Sequence, residues 1–165
     1  MQEIYICLTI LRGMFCAIAL RFLKSISAVE DIFYFMKVLY YIQCCFILEK
    51  QRPCYFDTIE AAPNGPILPT PRDLYRFYRS SPLEKALPPF SGSIDDADKE
   101  LINRVCLNCM DYNFMELSSK THEDKPWQDA DERAKNNQDI TIPLEDLLHF
   151  YSENPGRLDF VRKSA

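Results

Sequence analysis

Residues 32–48, IFYFMKVLYYIQCCFIL, are the stretch of sequence that decides the fold. Their side chains are apolar nearly all round a helix, and only Lys37 and Gln43 interrupt the pattern. A helix of this kind lies at the centre of a folded core or spans a membrane. In the first interpretation, residues 27–49 form the central helix of a compact, α-rich domain.

A second apolar segment, residues 4–22, keeps the membrane interpretation open. Arg12 and Gly13 interrupt it near the middle, and a central Arg or Lys costs about 2.5–3.5 kcal/mol on insertion. The connection 24–31, KSISAVED, is short enough to join two antiparallel helices. A membrane-associated helical hairpin is therefore the alternative, although no membrane is expected in the preferred interpretation. Residues 1–13 fit neither interpretation and form an N-terminal extension of uncertain status.

The bulk composition fits one folded domain. The chain has 165 residues, of which 47% are hydrophobic and 13% aromatic, which suits a single core and is untypical of disorder. The net charge of −5 is uneven, because residues 1–55 carry +2 and residues 56–165 carry −7. Nucleic-acid binding needs clustered Lys and Arg, so no nucleic-acid partner is expected and a protein partner fits better.

Cysteine usage indicates a reducing compartment. The seven cysteines are odd in number, and five of them lie in or beside strongly apolar segments: Cys7, Cys16, Cys44, Cys45 and Cys54. Buried free cysteine behaves as a small hydrophobic side chain. The start MQEIY has no basic region and no obvious cleavage site, so a secretory signal is not expected. These features predict a cytoplasmic protein.

Turn and cap signals place the next elements. Residues 54–62, CYFDTIEAA, partly alternate and are followed by PNGP, which predicts a short strand and a turn. In residues 70–80, TPRDLYRFYRS, Thr70 can cap a helix that begins at Pro71. Ser93 opens a further helix with one apolar stripe, formed by Ile94, Ala97, Leu101, Val105 and Cys109.

The last third of the chain adds three helices and a strand. Asn113 caps a short helix over residues 114–120, and Pro126 starts another over residues 127–136. Residues 140–142 are a candidate second strand. Pro143 opens a final helix with the inner face Leu144, Leu147, Leu148 and Tyr151, and residues 156–165 form a loosely held tail. The predicted fold class is mainly α (α+β): a compact, single-domain helical bundle with a small β element.

A metal site is not predicted. Cys106 and Cys109 form a CxxC pair on a predicted helix, and His122 follows thirteen residues later. Zinc needs four ligands, or three and a water molecule, and no second CxxC or HxxxH supplies them. No cofactor is expected either, since no phosphate-binding glycine motif is present and the chain has four glycines.

An enzyme is not predicted, although a metal-dependent hydrolase remains an alternative. A nucleophile would need His122 or His149 as its base. His149 lies in LLHFY and is interpreted as a partly buried structural histidine. The paired carboxylates are interpreted as charges at helix N-termini and on solvated faces: Asp95–Asp96, Glu123–Asp124 and Asp131–Glu132.

One basic stripe stands out on the helix after Thr70. Arg72, Arg76 and Arg79 follow the i, i+4, i+7 spacing, with Tyr75 and Tyr78 beside them. A solvated face is the simpler interpretation. A contact surface is the functional one, because Arg and Tyr are enriched at the energetic centres of protein interfaces.

Five segments, in order, resemble the Panacea domain of SocA-like antitoxins, a family of bacteria and phages. The segments are MKVLYYIQ (36–43), NGPILPTPRDLYRFYRS (64–80), SIDDADKELINRV (93–105), LSSKTHEDKPWQDA (117–130) and ITIPLEDLLHFY (140–151). The second and fourth carry the family's GP…LYxxY and THxxxPW motifs. The resemblance covers residues 18–152 and defines a domain over residues 14–155. Ala62 departs from the family, which has an aromatic residue before the GP turn.

The resemblance implies an antitoxin that binds and neutralises a cognate protein toxin encoded beside it. Delivery of that toxin to an ATP-dependent protease is a second implied mode. The motif residues that it assigns to structure are Gly65, Pro66, Tyr75, Thr121, Pro126 and Trp127. Together with the basic stripe, it suggests these partner-binding residues: Arg72, Tyr75, Arg76, Arg79, His122 and Glu123. His122 and Glu123 either fix the helix junction or border the toxin surface.

Overall fold

The computed structural model describes residues 29–70, 72–73 and 95–163. The elements in this part of the chain are α1 (Val29–Lys50), β1 (Glu60–Ala62), β2 (Gly65–Ile67), α2 (Asp96–Cys109), α3 (Phe114–His122), α4 (Lys125–Lys135), α5 (Leu144–Glu153), a 3-10 turn (Pro155–Leu158) and α6 (Asp159–Arg162). The fold is mainly helical and compact with a small β element, which confirms the predicted fold class.

Helix α1 is the centre of the core, as its apolar sequence predicts. Every residue from 35 to 47 is buried, and the helix contacts α2, α3, α5 and β2. Its two polar interruptions are both satisfied, as buried polar groups must be. Lys37 donates to the carbonyl of Pro66, and the Gln43 side-chain amide bonds the backbone of Cys54 and Tyr55.

The described helices bear on the membrane-hairpin alternative. None of them, α1 included, has the length and hydropathy that crossing a bilayer requires. The other segment of the proposed membrane hairpin, residues 4–22, lies outside the described residues, and so does the extension 1–13.

The β element differs from the predicted one. Strands β1 and β2 form an antiparallel hairpin, and Thr141 adds a single bridge to Glu60 on the other side of β1. Of the predicted strand 54–62, only the last three residues are in a strand, and residues 140–142 contribute that bridge alone. The second strand is Gly65–Ile67, a sequence with turn chemistry. Its three residues are all buried, so packing against α1 outweighs low strand propensity.

Helix α2 begins later than the sequence predicts. Asp95 is the N-cap, and its carboxylate accepts from the backbone N–H of Asp98 at 3.0 Å. A carboxylate at this position satisfies an amide that the first turn leaves unpaired, and it favours a start here over one at Ser93. Within the stripe, Leu101, Val105 and Cys109 are buried but Ala97 is exposed, and Ile94 lies outside the described residues.

The starts of α3 and α4 follow their predicted signals. Asn113 and Glu116 form a reciprocal capping box at the start of α3, with bonds of 3.0 and 2.7 Å. Pro126 lies in the first turn of α4, where its missing N–H costs nothing. Helix α4 runs from Lys125 to Lys135, close to the predicted range.

The C-terminal part corrects three expectations. Residues 156–163 are not a loose tail, because Leu158 and Val161 are fully buried in the core. On α5, Leu147 and Tyr151 are buried as predicted, whereas Leu148 is 38% exposed. His149 is exposed rather than partly buried, and it lies 3.7 Å from Glu153. The core covers a narrower face of α5 than its apolar sequence indicates.

Candidate functional site

The motif residues of the sequence meet at one corner, where the β1–β2 hairpin contacts the junction of α3 and α4. Trp127 is 8% exposed and donates from its indole Nε1 to the carbonyl of Ala62 at 3.3 Å. Thr121 is fully buried and donates from Oγ1 to Ser118 at 2.7 Å. The His122 ring stacks on the Trp127 ring, with centroids 4.1 Å apart. We call this arrangement the hairpin corner.

Gly65 is the tightest point of the hairpin corner. Its φ of +96° lies in the region that favours glycine, and a Cβ would be 2.5 Å from Thr121 Oγ1 and 2.7 Å from Lys37 Cε. The Nζ of Lys37 donates to Pro66 at 2.9 Å. Burial lowers the pKa of Lys37 to about 7, because its charged form loses hydration without gaining a carboxylate partner.

A second set of polar contacts lies on the other side of the junction. Asp124 is buried, and its carboxylate accepts from the Tyr151 hydroxyl at 2.6 Å and from Arg157 Nη2 at 3.0 Å. The Tyr151 hydroxyl is also 3.2 Å from that of Tyr40 on α1. Burial raises the pKa of Asp124, although Tyr151 and Arg157 act to lower it. Glu123 is exposed, and its ion pair with Arg157 at 2.8 Å lowers its pKa.

Sequence-predicted site residues fall into two groups. The hairpin corner brings together Gly65, Pro66, Thr121, His122, Pro126 and Trp127, whereas Glu123 pairs with Arg157 on the other side of the junction. Of the basic stripe, only Arg72 is described, and its Nε lies 2.9 Å from the Asp73 carboxylate. Tyr75, Arg76 and Arg79 lie outside the described residues.

Sequence reasoning missed four residues of the polar contacts: Lys37, Asp124, Tyr151 and Arg157. Lys37 had a usable signal, since a lone Lys in an apolar helix must find an acceptor in the core. The interpretation of Asp124 as a charge at a helix N-terminus agrees with its place at the N-cap of α4, but its side chain is buried and not solvated. Arg157 carried no signal, because its partners are 33 and 34 residues away in sequence.

Across the described ranges, no group of three or more His, Cys, Asp and Glu side chains could hold a metal ion. Cys106 and Cys109 are both buried in the core. Burial raises the pKa of the Cys109 thiol well above its ordinary value, which disfavours the thiolate that metals bind.

The fold and the hairpin corner define a small helical domain with a β-hairpin packed on its α3–α4 junction. A family model described as "Antitoxin SocA-like, Panacea domain" matches residues 35–128, more than half of the chain. The chain belongs to this family, which confirms the resemblance seen in the sequence. The match runs from α1 into the first turn of α4, so Tyr151 and Arg157 lie beyond it. No curated protein and no solved structure matches the chain.

Proposed function

We propose that this protein is the antitoxin of a toxin–antitoxin system, and that it neutralises a co-encoded protein toxin by direct binding in the cytoplasm. The observation that carries the proposal is the family match over residues 35–128. Family membership supports an antitoxin-type role with a protein partner, and it favours binding over catalysis. The acidic balance of residues 56–165 fits a protein partner as well.

Two surfaces are proposed to contact the toxin. The first is the basic stripe, formed by Arg72, Tyr75, Arg76 and Arg79, whose residue types suit protein interfaces. The second is the exposed side of the α3–α4 junction. There Glu123 is open to solvent, while His122 is only partly buried against Trp127. Contacts mounted on a well-packed corner need little ordering on binding, which favours affinity.

We propose a second mode of action beside direct neutralisation, which is delivery of the toxin for degradation. The antitoxin delivers its bound toxin to an ATP-dependent protease as an adaptor, a mode that the family resemblance implies. The two modes predict different fates for the toxin. Direct neutralisation leaves the toxin present and bound, whereas delivery shortens its lifetime in the cell. We also propose that the gene pair belongs to a prophage, as the family's occurrence in phages implies.

The test is co-expression with the product of the adjacent gene. Growth should stop when that product is expressed alone and recover when the antitoxin is added, and the two proteins should co-purify. The toxin's half-life, measured with and without the candidate protease, separates the two modes. His149→Gln, which changes an exposed histidine on α5, should bind and neutralise the toxin as the intact protein does. A toxic neighbour that the intact protein neither binds nor neutralises would refute the proposal.

A further inference from the structure

The β1–β2 hairpin is held by three side-chain donors from three different helices. Each donor bonds a different hairpin carbonyl: Lys37 to Pro66 at 2.9 Å, Ser118 to Asn64 at 2.9 Å and Trp127 to Ala62 at 3.3 Å. The hairpin therefore depends on α1, α3 and α4 at once. Of the three donors only Lys37 can change its charge, so its protonation acts on the position of the whole hairpin.

Lys37 is the donor whose protonation state depends on its surroundings. It is 0% exposed, and its Nζ contacts the neutral carbonyl of Pro66 and lies 5.9 Å from the centroid of the Phe114 ring. Across the described ranges, no carboxylate lies within ion-pair distance of its ammonium. Burial lowers its pKa to about 7, so charged and neutral forms are both populated near neutral pH. Either form can donate to Pro66, but only the charged form places an unpaired cation beneath the hairpin.

His122 is the second base at this corner. Its Nε2 is shielded from solvent and lacks a hydrogen-bond partner within the described part of the chain. Burial lowers the pKa of His122 below its ordinary value of 6.5, and repulsion from Lys37 lowers it further. Asp131 on α4 and the Pro63 carbonyl at the hairpin turn oppose this shift without cancelling it. Lys37 and Thr121, the residue before His122, flank the same point at Gly65, so the two bases repel each other whenever both are protonated.

We propose that Lys37 and His122 are a coupled pair of bases that makes the packing of the hairpin on the α3–α4 junction depend on protonation. Well above neutral pH both bases are uncharged and the hairpin is held tightly. As the pH falls, Lys37 gains a proton before His122 does, and the second proton adds a repulsive charge beside Trp127. The hairpin then loosens at its Pro63–Asn64 turn, and Trp127 becomes more accessible to solvent.

Trp127 reports on this corner directly, because it is the only tryptophan of the chain. Its fluorescence and its quenching by acrylamide are measured against pH, with circular dichroism at each step to confirm that the helices persist. In parallel, NMR follows the titration of both histidines, which His149→Gln assigns. We expect His122 to titrate below 6.5, and Trp127 quenching to increase as it does so.

The coupling is tested with Lys37→Met, which keeps the apolar stem and removes the charge. We expect the titration midpoint of His122 to move up by about half a pH unit or more. This is the pKa shift that removing a nearby positive charge produces at an intermediate dielectric constant. Lys125→Met, an exposed lysine on α4, should leave that midpoint unchanged. An unmoved midpoint in folded Lys37→Met would overturn the proposal. If that variant does not fold, a parent His122 that titrates at 6.5 or above, or unchanged Trp127 quenching, overturns it equally.

Discussion

Arg157 and Asp124 join the C-terminal segment to the α3–α4 junction, with Arg157 Nη2 3.0 Å from an Asp124 carboxylate oxygen that is shielded from solvent. The same guanidinium donates to the exposed Glu123 and to the backbone carbonyl of Lys120. Asp124 belongs to the family's motif region, whereas Arg157 lies outside residues 35–128. A residue beyond the family match therefore neutralises a buried charge within it.

Arg157→Ala should lower the free energy of unfolding by about 2 kcal/mol, since it leaves the buried Asp124 carboxylate with Tyr151 alone. The loss should grow with pH. Removing Arg157 raises the folded-state pKa of Asp124 further, and a raised acid pKa costs stability progressively as the pH rises from the unfolded-state pKa to the folded-state one. Urea unfolding at about pH 4.5 and pH 7.5 measures this trend. Arg162→Ala, at a more open ion pair with Glu49, should cost under about 1 kcal/mol at either pH.

Trp127→Ala should destabilise the fold by roughly 3–5 kcal/mol, the usual cost of emptying a buried aromatic site. The variant loses the stacking with His122 and the bond to Ala62 as well as the packed ring. Met115→Ala is the matched control, because its side chain is 69% exposed, and it should change stability by under about 0.5 kcal/mol. A loss below about 1 kcal/mol for Trp127→Ala in urea unfolding would contradict a structural role.

Gly65→Ala should cost about 2–4 kcal/mol, from a left-handed backbone and a steric clash combined. The clash is with Thr121 Oγ1 and Lys37 Cε, neither of which can move far in the core. Gly156→Ala provides the comparison within the same chain, since its Cβ would make an ordinary contact of 3.6 Å with Asp159. Thermal unfolding of the two variants should rank them clearly, and equal midpoints would rule out a special requirement for glycine at position 65.

Lys37→Met should stabilise the protein most below neutral pH. The pKa of Lys37 falls from 10.5 to about 7 on folding, so the unfolded chain binds its proton more tightly. Stability from this group is therefore present above pH 10.5 and is lost as the pH falls towards 7, by up to about 1.4 kcal/mol per unit. Lys37→Met should remove this pH dependence of the unfolding free energy, whereas Lys125→Met should retain it. Urea unfolding from pH 6 to pH 9.5 measures both, and parallel curves for parent and Lys37→Met would refute the prediction.

Replacing Arg72, Arg76 and Arg79 by Ala should weaken toxin binding while leaving the helical circular-dichroism signal intact. An arginine at the rim of an interface costs little when removed, whereas a desolvated one costs about 2 kcal/mol or more. Substitution of Lys135 and Lys163, two exposed lysines elsewhere, controls for the loss of positive charge. Growth rescue and binding are the readouts. If the folded triple variant rescues like the parent, the contact surface should be sought at His122 and Glu123.

Local signals explain which parts of the fold could be predicted from the sequence. The central helix and the capping box of Asn113 and Glu116 depend on residues within a few positions of one another, so the sequence alone indicates them. Strand β2 could not be predicted, because Gly65 and Pro66 are poor strand formers that the core holds in place. The exposure of Leu148 could not be predicted from the sequence either, since the buried face of α5 depends on which elements pack against it.

The sequence by itself determined the helical class, the place of the central helix and the family, because apolar periodicity, caps and motifs are properties of short segments. Only the tertiary structure decided that Lys37 and Asp124 are buried, and that Arg157 reaches Asp124 across 33 residues. The physical reason is that burial and pairing of a charge depend on which distant elements surround it. The same residue types on an open helix face would be solvated and would hold nothing together.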